Sequence, residues 1–243
     1  MTAQRSYRIL RLPGDGIGPE IMAAASTVLD RTAALYGFDV VYTDAAIGGA
    51  SCDAYGEPLT EATLADAQAS DAVLLGAVGG EQWNTLPPAL RPEQGLLQLR
   101  QALGLYCNLR PAKLYPELRE RSPLAGQERE LDLLVVRELT GGIYFGRRDA
   151  GGTGEGRWAS DTERYSVAEI KRILLQAFRL AEQRRGHVTL VDKANVLASS
   201  RLWREVLAEV QAGFPQITCV TLYIDNAAMQ LILHPERFDV LVT

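Results

Sequence analysis

A chain of 243 residues, 47% hydrophobic and with a formal net charge of −5, suffices for one large or two modest domains, and its acidity gives no footing for nucleic acid or an anionic membrane. No apolar run approaches the roughly 18 residues a membrane helix needs, and the short polar N-terminus lacks an apolar signal core. Cys52, Cys107 and Cys219 are far apart and odd in number, which suits a reducing compartment better than a disulfide framework, so a soluble cytoplasmic protein is expected.

In chain order, a strand is predicted at residues 6–12, followed by the turn "RLPGDGIGPEI" and a helix over 19–35. The glycines Gly14, Gly16 and Gly18 are evenly spaced, and Pro19 falls where a dinucleotide fingerprint needs its third glycine. The local reading is therefore a tight strand-to-helix turn with Pro19 opening the helix. Strands follow at 38–45 and 71–78, with a helix at 61–68 between them and another at 94–103. On that last helix, at 100° per residue, Leu96, Leu97, Arg100 and, if the helix starts early, Glu93 share one narrow face. Such a face grips a carboxylate and covers a branched alkyl group, or is an ordinary helix with its arginine reaching to solvent.

Strands are next expected at 106–114 and 130–139, each carrying an arginine, Arg110 and Arg137. Arginines on apolar strands need an anionic partner. A small dicarboxylate answers Arg100, Arg110 and Arg137 together, and internal ion pairs, with Glu138 a ready candidate, answer them too. Tyr144 stands among Gly141, Gly142 and Gly146, where it packs or presents its hydroxyl as an acid. Residues 146–161 are rich in glycine and charge and read as an exposed loop or arm. A helix at 166–185, a strand at 187–194 ending near Lys193, a helix at 200–211, a strand at 217–225 ending at Asp225, a helix at 226–233 and a strand at 238–243 complete the pattern. Lys193 is a structural ion-pair partner or a base. Asp225 is an N-cap or a metal ligand. The alternation predicts an α/β fold with a mostly parallel sheet, and a domain change near residue 105 divides 1–105 from 106–243.

The segments "LPGDGIGPE", "GAVGGEQWNTLPPALRPEQGLLQLR", "NLRP", "RELTGGIYFG", "VDKANVL" and "YIDNAAMQL" occur in the order and spacing of the 3-isopropylmalate dehydrogenase family, and the chain resembles that family along its whole length. The resemblance implies a two-domain fold with a non-Rossmann cofactor site, in which "GDGIG" is a turn beside the cofactor rather than a pyrophosphate cradle. It implies oxidation of the 2-hydroxyl of (2R,3S)-3-isopropylmalate by NAD+ and loss of CO2 to give 4-methyl-2-oxopentanoate, a step of leucine biosynthesis, with Mg2+ or Mn2+ as Lewis acid. By position, Arg100, Arg110 and Arg137 match the arginines that bind the malate group, Lys193 the base, Tyr144 the acid that protonates the enol carbon, and Asp225 a substrate- and metal-binding carboxylate. Leu96 and Leu97 would cover the alkyl group. Gly80, Glu81, Gln82, Trp83, Asn84, Pro92 and Glu93 match the cofactor-contacting segment. Lys193 and Asp225 would serve the partner subunit's site, so a homodimer is implied.

Members of this family continue past "FDVLVT" into "GDILSD", with two more metal carboxylates, and then a "HGSAPDIAG"-like adenosine loop. A chain lacking about a third of that length is expected, with the first domain only half present and the second incomplete at its end. The alternatives are a D-malate or tartrate enzyme of the same type, or a non-catalytic fragment or partner subunit. An isocitrate enzyme fits less well, since Leu96 and Leu97 offer no polar group to a third carboxylate.

Overall fold

The computed structural model describes residues 5–122 and 131–243 and divides the chain into two compact units, 1–104 and 105–243. The first residue of the strand predicted at 130–139, Glu130, lies outside the described residues.

In the first unit, β1 (Ser6–Gly14) leads into α1 (Gly18–Tyr36), β2 (Asp39–Asp44), α2 (Gly49–Tyr55), α3 (Glu61–Ala69), β3 (Ala72–Ala77) and α4 (Pro92–Ala102). The three strands form a parallel sheet in the order β2-β1-β3. Parallel neighbours need helical crossovers, and local signals delimit them. Pro19 opens α1, Gly37 ends it in the left-handed region at φ 71°, and the Thr60 hydroxyl accepts from Thr63 N–H to cap α3. Leu10 and Leu12 of β1 pack with Ile47, Leu59, Ala67 and Leu99 as the core.

The second unit contains β4 (Cys107–Lys113), β5 (Asp132–Glu138), β6 (Arg148–Gly151), β7 (Trp158–Asp161), α5 (Val167–Glu182), β8 (His187–Asp192), α6 (Ala198–Gln211), β9 (Thr218–Tyr223), α7 (Ile224–Leu233) and β10 (Val240–Val242). Its main sheet runs β4-β5-β10-β8-β9; all neighbours are parallel except β4, which is antiparallel to β5. Pro111 is tolerated because β4 is an outer strand.

Both faces of this sheet are covered. On one, α5 and α6 bury Ile170, Ile173, Leu174, Phe178, Trp203 and Val206 against Val136, Val188, Leu190, Val240 and Val242. The spacing i, i+3, i+4, i+8 in α5 makes that stripe, and a capping box between Ser166 and Glu169 starts the helix. On the other face, Ala227 of α7 and Phe238 pack with Leu133, Val191 and Leu241.

One expectation sharpens, and one element goes unmarked in the sequence. The Gly-rich segment 146–161 holds the antiparallel pair β6 and β7, in which Trp158 faces Gly151 across the ladder. Both strands are largely solvent-exposed, so no apolar alternation marks them in the sequence. The seven-residue helix α2 also lacks an amphipathic pattern, since its buried residues are Gly49 and Ser51.

Candidate active site

Strand alternation sorts the charged residues of the second unit. Consecutive residues of a strand point to opposite faces. Glu138 therefore faces α5, and Arg137 faces the α7 side. Glu138, 4% exposed, accepts from Arg172 Nη2 at 2.7 Å and from the Gly141 amide at 2.6 Å. The ion-pair partner of Glu138 is thus Arg172 and not one of the three arginines singled out in the sequence. Arg137 Nη2 instead donates to the Tyr144 hydroxyl at 2.7 Å, and its guanidinium lies 5.1 Å from the ring centroid. Asn108 sits opposite Arg137 in the ladder, and Arg110 Nε donates to Asn108 Oδ1 at 2.7 Å. Arg110, Arg137 and Tyr144 are thereby gathered on one sheet face, and the two arginines have neutral partners in these bonds.

The loop carrying Tyr144 is fixed from below. Glu138 also accepts from the Thr140 hydroxyl at 3.1 Å, and a side chain at Gly141 or Gly142 would collide with Tyr165. Gly142 has φ 69°, a conformation that favours glycine. Burial pushes the Tyr165 hydroxyl up to about 12, so it stays neutral.

Lys193 and Asp225 lie just beyond the C-terminal ends of the neighbouring parallel strands β8 and β9. Lys193 Nζ donates to Asp225 Oδ1 at 2.8 Å. Asp225 is not an N-cap: Tyr223 takes that place, and Asp225 stands in the first turn of α7 with its side chain on Lys193. That bond, together with backbone N–H groups of the turn, holds its carboxyl below the usual range. Ends of β5, β8 and β9 share one edge of the sheet, the edge where open α/β sheets bind ligands.

In the first unit, α4 starts at Pro92, so Glu93 belongs to the helix. Its inward stripe is Gly95 and Leu99; a Cβ at Gly95 would come within 2.4 Å of the Pro58 carbonyl oxygen. Leu96, Leu97 and Arg100 are half-buried. Glu93 Oε1 lies against Gly79, beside Gly80, Glu81, Gln82 and Asn84, which are exposed. Trp83 and Pro92 are buried. The Trp83 ring packs on Gly49, and its Nε1 donates to Asp53 Oδ1 at 3.0 Å, so this ring anchors the segment rather than facing a ligand.

The turn "GDGIG" has its own occupant. Asp15, 3% exposed, accepts from the amides of Gly49 at 2.9 Å, Ala50 at 2.7 Å and Gly79 at 2.7 Å. Its carboxylate fills the N-terminus of α2 and ties three loops together. Sequence inspection does not single out Asp15 as more than a turn residue.

Among the described residues, no group of three His, Cys, Asp or Glu side chains is placed to hold a metal ion. The Asp225 carboxylate is already engaged by Lys193, and a hard divalent cation needs more oxygens than one carboxylate gives. These residues do not by themselves make a metal site.

The family description "Isocitrate/isopropylmalate dehydrogenase" matches residues 8–243. The chain is 53% identical over 242 residues to 3-isopropylmalate dehydrogenase of Moorella thermoacetica, covering 98% of this chain and 67% of the relative. It is 55% identical to the 3-isopropylmalate dehydrogenase of Xanthomonas euvesicatoria pv. vesicatoria, covering 98% and 68%. Among solved structures it is similar to isocitrate dehydrogenase from Methylococcus capsulatus, with TM-score 0.77, 33% identity and coverage of 98% and 66%. A β-decarboxylating dehydrogenase from Thermococcus kodakarensis matches with TM-score 0.71, 29% identity and coverage of 97% and 63%. The chain thus spans about two thirds of the length of these proteins and belongs to the isocitrate/isopropylmalate dehydrogenase family.

Proposed function

We propose that these residues act in the NAD+-dependent oxidative decarboxylation of 3-isopropylmalate. The observation that carries the choice of substrate is the face of α4. With Gly95 and Leu99 turned into the core, Leu96 and Leu97 are left beside Arg100 to meet the substrate. Three buried alkyl carbons are worth about 2 kcal/mol at roughly 0.8 kcal/mol per CH2. A third carboxylate in that place, without a partner, costs at least as much.

Arg100, Arg110 and Arg137 bind the two carboxylates of the malate group, for which a guanidinium fork is suited. When bound, NAD+ supplies the acceptor for the hydride from C2, and Gly80, Glu81, Gln82, Asn84 and Glu93 are the residues assigned to it, with Trp83 anchoring their segment. Lys193 Nζ takes the proton of the 2-hydroxyl. Nζ accepts that proton only as the neutral amine, whose remaining N–H groups can keep the bond to Asp225. Loss of CO2 from the β-keto carboxylate leaves an enolate, and Tyr144 protonates its carbon to give the 2-oxo acid. The Tyr144 oxygen accepts from Arg137, so its own proton is left for donation. Family membership implies a divalent cation, with Asp225 as one of its carboxylates and the others outside this residue set.

The pair Lys193–Asp225 is assigned to the partner subunit's site in a homodimer. Support comes from α7. At 100° per residue, Asp225, Ala228, Met229 and Ile232 fall within about a 100° arc on the side away from the buried Ala227. An apolar, exposed helix face that carries a site residue is what a second copy would cover. The experiment for the function is isopropylmalate-dependent NADH formation by the enzyme carrying these residues, with CO2 released in equal amount. NADH without CO2 contradicts the decarboxylation.

A further inference from the structure

We infer that Arg204 and Asp192 are positioning residues for the Lys193–Asp225 pair, clamping together the two strand ends from which that pair projects. Asp192 is the last residue of β8 and faces away from Lys193, toward α6. Its carboxylate, 9% exposed, accepts from Arg204 Nε at 2.6 Å and from Arg204 Nη2 at 3.0 Å, a bidentate bond to α6. The same carboxylate accepts from the Ala194 amide at 2.9 Å, and the Ser200 hydroxyl of α6 accepts from the Lys193 amide at 3.2 Å. The backbone on both sides of the Lys193 side chain is thereby tied to α6.

The clamp extends to the neighbouring strand. Tyr223 is the ladder partner of Asp192, and the Arg204 guanidinium lies 4.9 Å from the Tyr223 ring centroid. Asp225 follows Tyr223 by two residues. One arginine therefore touches both strand ends, through hydrogen bonds on β8 and through stacking on β9. A planar guanidinium can do both at once, and a lysine cannot. The Nζ–Oδ1 distance of 2.8 Å depends on two flexible or exposed side chains whose bases are held by this arginine. Holding reactive groups in place is what makes them effective.

This inference rests on the reading of Lys193 as the base, and its test is kept separate from that reading. The chain contains three lysines, Lys113, Lys171 and Lys193. Labelling lysine with 15N at Nζ gives ammonium signals that include those of Lys113, Lys171 and Lys193, and Lys193→Arg identifies the one to follow. Its proton exchange at mildly acid pH reports the bond to Asp225, and Asp225→Asn shows the unbonded limit. Arg204→Gln is expected to abolish the protected Lys193 signal as fully as Asp225→Asn does, with Lys113 and Lys171 unchanged as proof of folding. Tyr223→Leu, which keeps the Asp192–Arg204 bond and removes the contacts of Arg204 with Tyr223, is expected to weaken the same signal and serves if Arg204→Gln does not fold. A Lys193 signal unaltered in either folded variant overturns the inference. If Lys193→Met leaves turnover intact, the base reading fails on its own, whatever the signal does.

Discussion

Among the described residues four carboxylates are buried, and three of them, Asp15, Glu138 and Asp192, each answer several donors and sit one position or one loop away from a residue assigned to the site. A buried carboxylate is tolerated only when it is fully bonded. Asp15→Ala leaves three amides without their acceptor and is expected to cost roughly 3 kcal/mol or more, measured by urea unfolding; a loss under about 1 kcal/mol means that water replaces the carboxylate. Lys193→Met is expected to lower kcat by about 10² to 10⁴ while leaving NAD+ affinity nearly unchanged, read by steady-state kinetics and cofactor titration. The sequence shows Lys193, Tyr144 and the arginines because the segments that carry them stand in a recognisable order and spacing. It does not show the work of Asp15, whose acceptors' partners lie 34 to 64 residues away. Nor does it tell whether Glu138 pairs with Arg137 or Arg172 until the strand's alternation is placed against a helix.

At the level of elements, α4 and α7 are each two-sided. The inward sides carry Gly95 and Leu99 on α4 and Ala227 on α7, with Gly95 permitting close approach, and the outward sides carry the residues proposed to act. Leu96→Ser combined with Leu97→Ser is expected to raise KM for isopropylmalate by roughly thirtyfold, the equivalent of about 2 kcal/mol of lost alkyl burial, and to raise KM for D-malate much less. Equal effects on both substrates would remove the argument for alkyl recognition. The helical period makes both faces legible in the sequence. The pair β6–β7 is not, because strands exposed on both sides need no apolar alternation. The helix α2 is not, because its N-terminus is completed by Asp15 from a distant turn rather than by a capping residue of its own.

For the molecule as a whole, acid and association are the two levers. Burial holds the His187 imidazole below its ordinary range. The folded chain therefore refuses a proton that the unfolded chain takes up as pH falls through about 6.5. Stability attributable to this residue is full above that pH and declines below it. His187→Gln is expected to flatten the fall in urea midpoint between about pH 7.5 and 5.5; an unchanged slope would exclude His187 as its source. Met229→Asp with Ile232→Asp is expected to convert the proposed dimer to monomer in analytical ultracentrifugation, with unaltered far-ultraviolet dichroism. A dimer that survives both charges lies on another face. The α/β architecture and the mostly parallel pairing of its strands follow from the alternating pattern of the sequence. The most direct measurement of the central claim is the ratio of kcat/KM values for 3-isopropylmalate, D-malate and isocitrate in NADH formation by the enzyme carrying these residues. Isopropylmalate is predicted to exceed D-malate by one to two orders of magnitude, roughly what its extra alkyl burial is worth, with isocitrate the poorest of the three. Equal or better turnover of isocitrate would contradict the assignment of Leu96 and Leu97, and with it the proposed substrate.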